Sequence, residues 1–535
     1  MPENYSTIIL CLERKLIMGK FVNSFEKVLD EKYNISITEN GAVGYATTNH
    51  DLLDMNFKVA SYRHMSADQM ISDFVGALNQ DFELAIAWLF YVRDVREGLG
   101  ERRLFRTLFK YLAQSHPEVA RKLVGFIGEY GRYDDLMELL DTEVHQDVMK
   151  VVMTTLASDI ENMKAGNSIS LLAKWMPSNN TSSPITVARA KIIQKALKLT
   201  PKEYRKMLAS LRAYLNIVER DMSAGNWSEI NYEAVPSKAN LIYKKAFLKH
   251  DEARRLEYLA KLEKGEAKIN SSVAFPHEIV HKYSNGSGWG YSIAKKVDPT
   301  LEAMWKALPD MGIENTIVVA DGSGSMTCQV DTSSNVSALE VANALAIYCA
   351  ERCKGEFKNT YITFSSRPQL VHLNGKTLLD NLREASRHNE VANTNIEATF
   401  DLILKTAVDN NMAQEDLPKN VLIISDMEFD QASHMGYGRG AVNANLFKQI
   451  ERKFAAAGYK VPRLIFWNVN SRSCTIPVKE NDLGVALVSG FSVNIMKMVM
   501  SDRMDPWMLL VDTLVSARYA PILDAVTENE NDLER

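Results

Sequence analysis

The chain has 535 residues, more than one hydrophobic core holds, so two or three domains are expected. Apolar residues at 46% and charged residues at 24% exclude wholesale disorder, and a net charge of −5 excludes a uniformly basic nucleic-acid binder while leaving local patches open. Five cysteines (Cys11, Cys328, Cys349, Cys353, Cys474) are an odd count, which fits a reducing compartment and no disulfide framework.

No stretch approaches the roughly 18 apolar residues of a membrane span. Residues 8–11 are too few for a signal-peptide core and run into Glu13 and Arg14. Met18-Gly-Lys resembles an ordinary start, so the first 17 residues are expected to add little structure, and the protein is expected in the cytoplasm. Residues 1–74 read as an extension and an irregular segment, β-like at 41–49. From 74 to 95 apolar residues recur at helical spacing until Gly98-Leu-Gly100 breaks the run. A second helix follows Glu101, and Pro117 opens a third. Helix–turn–helix units continue at 134–140, 146–164, 168–175, 185–199 and 201–219. Short connections favour antiparallel neighbours, so 75–285 is expected to be an irregular α-helical repeat module, HEAT-like, with concave or ring-like surfaces.

His277-Glu-Ile-Val-His281 matches the zinc-protease pattern, with Glu302 as a conceivable third ligand. Pro276 in front and the Gly-rich run 285–290 behind count against it. That run opens an expected linker, 286–311. From 312 to 520 the pattern alternates: strands at 317–321, 361–364, 369–372, 421–426, 463–469 and 485–489, with helices at 338–353, 377–386, 396–408 and 443–457 between them. Such alternation predicts a mainly parallel, doubly wound sheet, making the whole chain α followed by α/β. Cys349 and Cys353, one helical turn apart, read as buried thiols, and 521–535 as an acidic, frayed tail.

The strand 317–321 ends in Asp321-Gly-Ser323-Gly-Ser325. One carboxylate and two hydroxyls at alternate positions form a hard, all-oxygen half-site, suited to Mg²⁺ (or Mn²⁺) and to neither Zn²⁺ nor Cu²⁺. The plain alternative is a turn whose Ser and Asp only cap a helix. Asp-x-Ser-x-Ser resembles the metal-ion-dependent adhesion site (MIDAS) of von Willebrand factor A-type domains. That resemblance implies two more donors, and Thr394 and Asp426 stand where it puts them. It further implies an open metal position that takes a carboxylate from a protein partner.

A helical module followed by an A-type domain resembles the Ro autoantigen (TROVE/von Willebrand factor A) architecture. The turn Arg93-Asp-Val-Arg96-Glu-Gly-Leu-Gly-Glu-Arg102-Arg103 resembles one found in relatives of the Ro helical module and in a family shared by phages and plants. Lys174-Trp-Met-Pro, Val235-Pro-Ser-Lys-Ala, Phe466-Trp-Asn and Val488-Ser-Gly-Phe-Ser resemble the latter family, over most of 35–520. For Ro-like proteins the implied partner is structured or misfolded small RNA. The sequence adds its own support, because residues 187–268 carry an excess of about eight positive charges, with Lys191, Lys195, Lys198, Lys202, Arg205, Lys206 and Arg212 at helical spacings. A solvated helix face is the competing explanation. Arg93, Arg96, Arg102 and Arg103 are RNA-contact candidates as well. Their rival reading is a structural network, Arg93 with Asp94 and Arg96 with Glu97.

Elsewhere there is no Ser-His-Asp arrangement, P-loop or dinucleotide glycine motif, so no enzyme and no membrane partner are expected. The expected function is an RNA-binding, ribonucleoprotein-like scaffold with a Mg²⁺-dependent protein-ligand site. The rival is a phage or virion structural or assembly protein whose A domain makes protein contacts without nucleic acid, placing the chain in host cytoplasm or virion.

Overall fold

The computed structural model describes residues 34, 36–40, 43–285, 292–332, 334–365, 367–389, 395–429, 442–477, 485–501 and 505–527. Helices dominate up to residue 306, and a mostly parallel six-stranded sheet with helices on both faces follows. Among the described residues no helix is long and apolar enough to cross a membrane.

The segment expected to be an irregular extension is integrated instead. Strands β1 (Ser36–Ile37) and β2 (Val43–Gly44) pair antiparallel, and Tyr45 bridges to Ile476 far along the chain. Helix Asp51–Phe57 buries Leu52, Leu53, Met55 and Phe57. Its last carbonyl, of Phe57, accepts a hydrogen bond from Asn468 Nδ2 at 2.8 Å. The first 33 residues lie outside the described set.

The run 74–95 is two helices rather than one, and the first starts earlier than expected. Ser66 and Gln69 form a capping box for Ala67–Gln80. Asp81 then leaves helical geometry and accepts the Leu84 amide, capping Phe82–Arg93. Every residue from Leu84 to Arg93 is buried, as a helix apolar all round must be. It packs against Ala67–Gln80, Arg102–Ser115 and the last helix, Ala520–Thr527. The stretch expected to be a frayed tail therefore begins as a packed helix, with Ile522 and Val526 buried. Residues 528–535 lie outside the described set.

The expected linker is likewise structured. Two-residue strands β3 (Ser284–Asn285) and β4 (Ser292–Ile293) pair across its start. Asp298 caps helix Pro299–Lys306, whose Leu301, Met304 and Trp305 are buried. In the basic region, Ser183 and Thr200 cap helices Pro184–Ala196 and Pro201–Tyr214, each with Pro at its first position. The second ends five residues before the expected 219.

The sheet order is β10-β9-β8-β5-β6-β7, where β5 is Thr316–Asp321, β6 Thr360–Phe364, β7 Leu370–His372, β8 Asn420–Ser425, β9 Arg463–Asn468 and β10 Ala486–Ser489. Among the described strands of this sheet, only edge strand β7 runs antiparallel. The central strands are buried throughout, which explains their unbroken apolar runs. Side chains alternate between two cores: Ile317 and Val319 face Phe400 and Phe454, whereas Val318 and Ala320 belong to a core continuous with helix Phe82–Arg93. The helical half and one sheet face thus share a hydrophobic core.

Candidate metal centre and basic face

Strand β5 pairs in parallel with β8, Ala320 opposite Ile424, so Asp321 and Ser425 emerge together at the carboxyl edge of the sheet, with Asp426 next. Ligand sites of open α/β sheets form at this edge. Asp321 Oδ2 accepts the Ser425 hydroxyl at 2.6 Å, and Oδ1 accepts the Ser323 amide at 2.9 Å. A short 3₁₀ turn, Gly324–Thr327, brings Ser325 Oγ to 3.0 Å from Ser323 Oγ. The Asp426 carboxyl, fully buried, takes the Glu428 amide on Oδ1 at 3.2 Å and Arg472 Nη1 on Oδ2 at 3.2 Å. Burial, and then the neighbouring Asp321 carboxylate, hold Asp426 well above the usual carboxylate range, opposed by Arg472 and the Ser325 hydroxyl.

Four of the five expected donors therefore meet: Asp321, Ser323, Ser325 and Asp426. Thr394 lies outside the described residues. Two buried carboxylates side by side, flanked by hydroxyls, suit a hard divalent cation, which would relieve their mutual repulsion. Among the described residues no group of three or more His, Cys, Asp or Glu is disposed to hold a metal.

Sequence reading missed two neighbours, Ser425 and Arg472, and the structural part that Glu428 plays. Ser425 fixes Asp321 and stands beside it only through strand pairing. Arg472 comes from the loop after β9. Glu428, 1% exposed, accepts the amides of Glu39, Arg472 and Ser473 and the hydroxyls of Ser471 and Ser473. It clasps that loop to the 36–40 segment. Met427 and Cys474 adopt φ of 61° and 55°, a left-handed conformation costly for such side chains and typical of strained functional loops.

On the helical half, Lys191, Lys195, Lys198, Lys202, Arg205 and Lys206 are all exposed, and none is in an ion pair among the described residues. Arg212 is different. It donates to the carbonyls of Ala173 (2.8 Å) and Met176 (2.7 Å) and to Ser178 Oγ, tying its helix to the short helix Leu172–Trp175 and the residues just after it.

The arginine turn needs correction. Arg93 is 2% exposed and pairs with Asp135 at 2.7 Å, so it reaches neither RNA nor Asp94. Asp94 pairs with Arg518 at 2.8 Å, and Glu97 approaches Lys497 at 3.6 Å. Arg96 donates to the Glu129 carbonyl, and Arg103 to those of Tyr62 and Met65. Arg102 is exposed and in no ion pair among the described residues. The Gly98 carbonyl accepts from Ser492 and Asn494, so the turn docks the loop after β10. A Cβ at Gly98 would lie 2.0 Å from the Tyr91 carbonyl oxygen, which only glycine avoids.

The zinc pattern dissolves on inspection. Helix Pro276–Val280 has five residues. Glu278 caps it through the Phe275 amide and pairs with Lys238, His281 pairs with Glu340 at 2.9 Å, and Glu302 accepts from Tyr283 and the Leu378 amide. His277 is buried, stacked on Phe275 and edge-on to Phe491, with Nδ1 lacking a partner among the described residues. Burial, aided by Arg63 and Lys238, lowers its pKa to about 3. The folded state thus favours the neutral ring. Its contribution is complete above the unfolded value near 6.5 and is lost as pH falls towards 3, about 2 kcal/mol being gone at pH 5. Urea midpoints of wild type and His277→Leu at pH 7 and pH 5 check this: the variant should lose less stability on acidification. An equal loss contradicts it.

The model of one family, a domain of unknown function (DUF2828), matches residues 38–148 and 132–312, and that of another, DUF7788, matches 315–508. "Uncharacterized protein L728" of Acanthamoeba polyphaga mimivirus is 29% identical over 521 residues, spanning 90% of this chain and 87% of that protein. Among solved structures, the RO (RSR) protein of Deinococcus radiodurans matches with a TM-score of 0.31 and 13% identity, over 86% of this chain and 95% of that one.

Proposed function

The chain belongs to the DUF2828 family; from its exposed cations and its cluster of carboxylates and hydroxyls we propose a non-enzymatic, Ro-like RNA-binding scaffold with a Mg²⁺-dependent protein-ligand site. In this reading the helical half is a HEAT-like array and the sheet half a von Willebrand factor A-type domain acting in the cytoplasm. The observation that carries RNA binding is the set of cations Lys191, Lys195, Lys198, Lys202, Arg205 and Lys206, exposed and without ion pairs among the described residues. Exposed cations without carboxylate partners supply phosphate affinity without reading sequence, as recognition of structured or misfolded small RNA requires.

Asp321, Ser323, Ser325 and Asp426, with Thr394 as the expected fifth donor, would hold Mg²⁺ (or Mn²⁺). The ion supplies an open coordination position for a partner's carboxylate. The chain's own residues orient that site: Ser425 fixes Asp321, and Glu428 fixes the loop carrying Arg472. Nuclease centres pool more carboxylates than these two, which favours capture over hydrolysis.

The test is RNA retardation across a salt series with wild type and the fourfold reversal Lys198→Glu, Lys202→Glu, Arg205→Glu, Lys206→Glu. Losing each phosphate contact should lower the salt slope by about one, and affinity should fall by about 100-fold or more at moderate salt. Wild-type protein that retards no RNA and purifies without nucleic acid supports the rival, an assembly protein working through protein contacts alone.

A further inference from the structure

Arg472 sits where the metal reading leaves least room for a second positive charge. Its Nη1 lies 3.2 Å from Asp426 Oδ2, an expected donor, and 3.4 Å from the backbone carbonyl oxygen of Ser325. Its Nε and Nη2 lie 2.9 and 2.8 Å from Glu39 Oε2. The backbone is pinned, since the Arg472 amide donates to Glu428 Oε1 at 2.8 Å. The side chain is 23% exposed, so it has a route to solvent from a fixed pivot. Glu39 belongs to the segment tied to the same loop by its own amide on Glu428 Oε2, by Asn40 on the Glu428 carbonyl and by Thr38 on the Phe429 carbonyl.

A guanidinium keeps its charge at any physiological pH, so it vacates a carboxylate by moving and not by losing a proton. A divalent ion arriving at Asp426 meets a fixed positive charge within hydrogen-bond reach of the same oxygen. We propose that Arg472 is the resident cation of this site, held over Asp426 by Glu39, and that metal binding displaces it and frees Glu39. This rests on the metal reading above and adds to it an affinity-setting residue and a coupling to the 36–40 segment. No bond is made or broken; one cation replaces another.

Glu39 separates this idea from simple repulsion. If Arg472 merely repels the ion, removing the Glu39 carboxylate makes the site less negative and weakens metal binding. If Glu39 holds Arg472 in place, removing it lets Arg472 leave, and binding tightens.

Calorimetric titration of Mg²⁺ into the full chain tests the two. Arg472→Ala and, should that variant melt early by circular dichroism, Arg472→Gln should bind about tenfold tighter than wild type. Glu39→Gln should bind about threefold tighter. Equal affinity in wild type and both Arg472 variants overturns the proposal and leaves the metal site standing. Tighter binding by the Arg472 variants with weaker binding by Glu39→Gln reduces Arg472 to repulsion, which also overturns it. No Mg²⁺ binding by any of the proteins sinks the metal reading itself.

Discussion

Arg93→Ala should lower the unfolding free energy by about 3–5 kcal/mol, the range for removing one partner of a buried ion pair. Arg93 ends helix Phe82–Arg93, the central helix of the helical half, and its guanidinium and the Asp135 carboxylate are 2% and 0% exposed. The remaining donors to Asp135 are Arg106 Nε at 2.6 Å and the Arg132 amide at 3.0 Å. They keep the carboxylate partly paired after Arg93 is gone, so the change leaves a cavity and an unmet acceptor together. The approach is so close that a Cβ at Gly131 would fall 2.6 Å from Asp135 Oδ2 and 2.9 Å from Arg93 Nε. Lys110→Ala is the control. Its pair with Asp141 is 37% and 66% exposed and should contribute about 0–1 kcal/mol. Urea unfolding of both variants decides the matter, and similar losses would contradict the buried role of Arg93.

Asp321→Ala should weaken Mg²⁺ binding by more than about 100-fold, because even a residue that only orients a ligand typically changes affinity 10–100-fold. Ser425→Ala supplies that intermediate case, since its hydroxyl donates to Asp321 Oδ2 at 2.6 Å without being an expected donor to the ion. Wild type with Mg²⁺ at about 100 times its Kd should gain about 2.7 kcal/mol of stability, and Asp321→Ala should gain almost none. Equal stabilisation of both proteins would place the ion elsewhere.

Much of the sheet is legible in the sequence because parallel strands buried on both faces are continuous apolar runs. Thr316–Asp321 and Asn420–Ser425 stand out in this way, and their ends point to Asp321 and Asp426. What was hidden came from contacts across long chain separations. Arg472 reaches Asp426 across 46 positions, and Asn468 reaches Phe57 across 411, with no local periodicity to announce either. The arginine turn misled for another reason. Arg93 and Asp94 are adjacent in sequence, but neighbours along a helix end diverge, so each found a partner on a different element. Asp81 was legible as a helix cap and was passed over inside an apolar run whose spacing continued through it.

In the proposed function a hard divalent ion sits at the carboxyl edge of β5 and β8. Diffraction from crystals of the full chain grown with Mn²⁺, recorded for its anomalous signal, locates that ion directly. The expected result is a peak bounded by oxygens of Asp321, Ser323, Ser325 and Asp426. Crystals that hold Mn²⁺ only at other positions would contradict it.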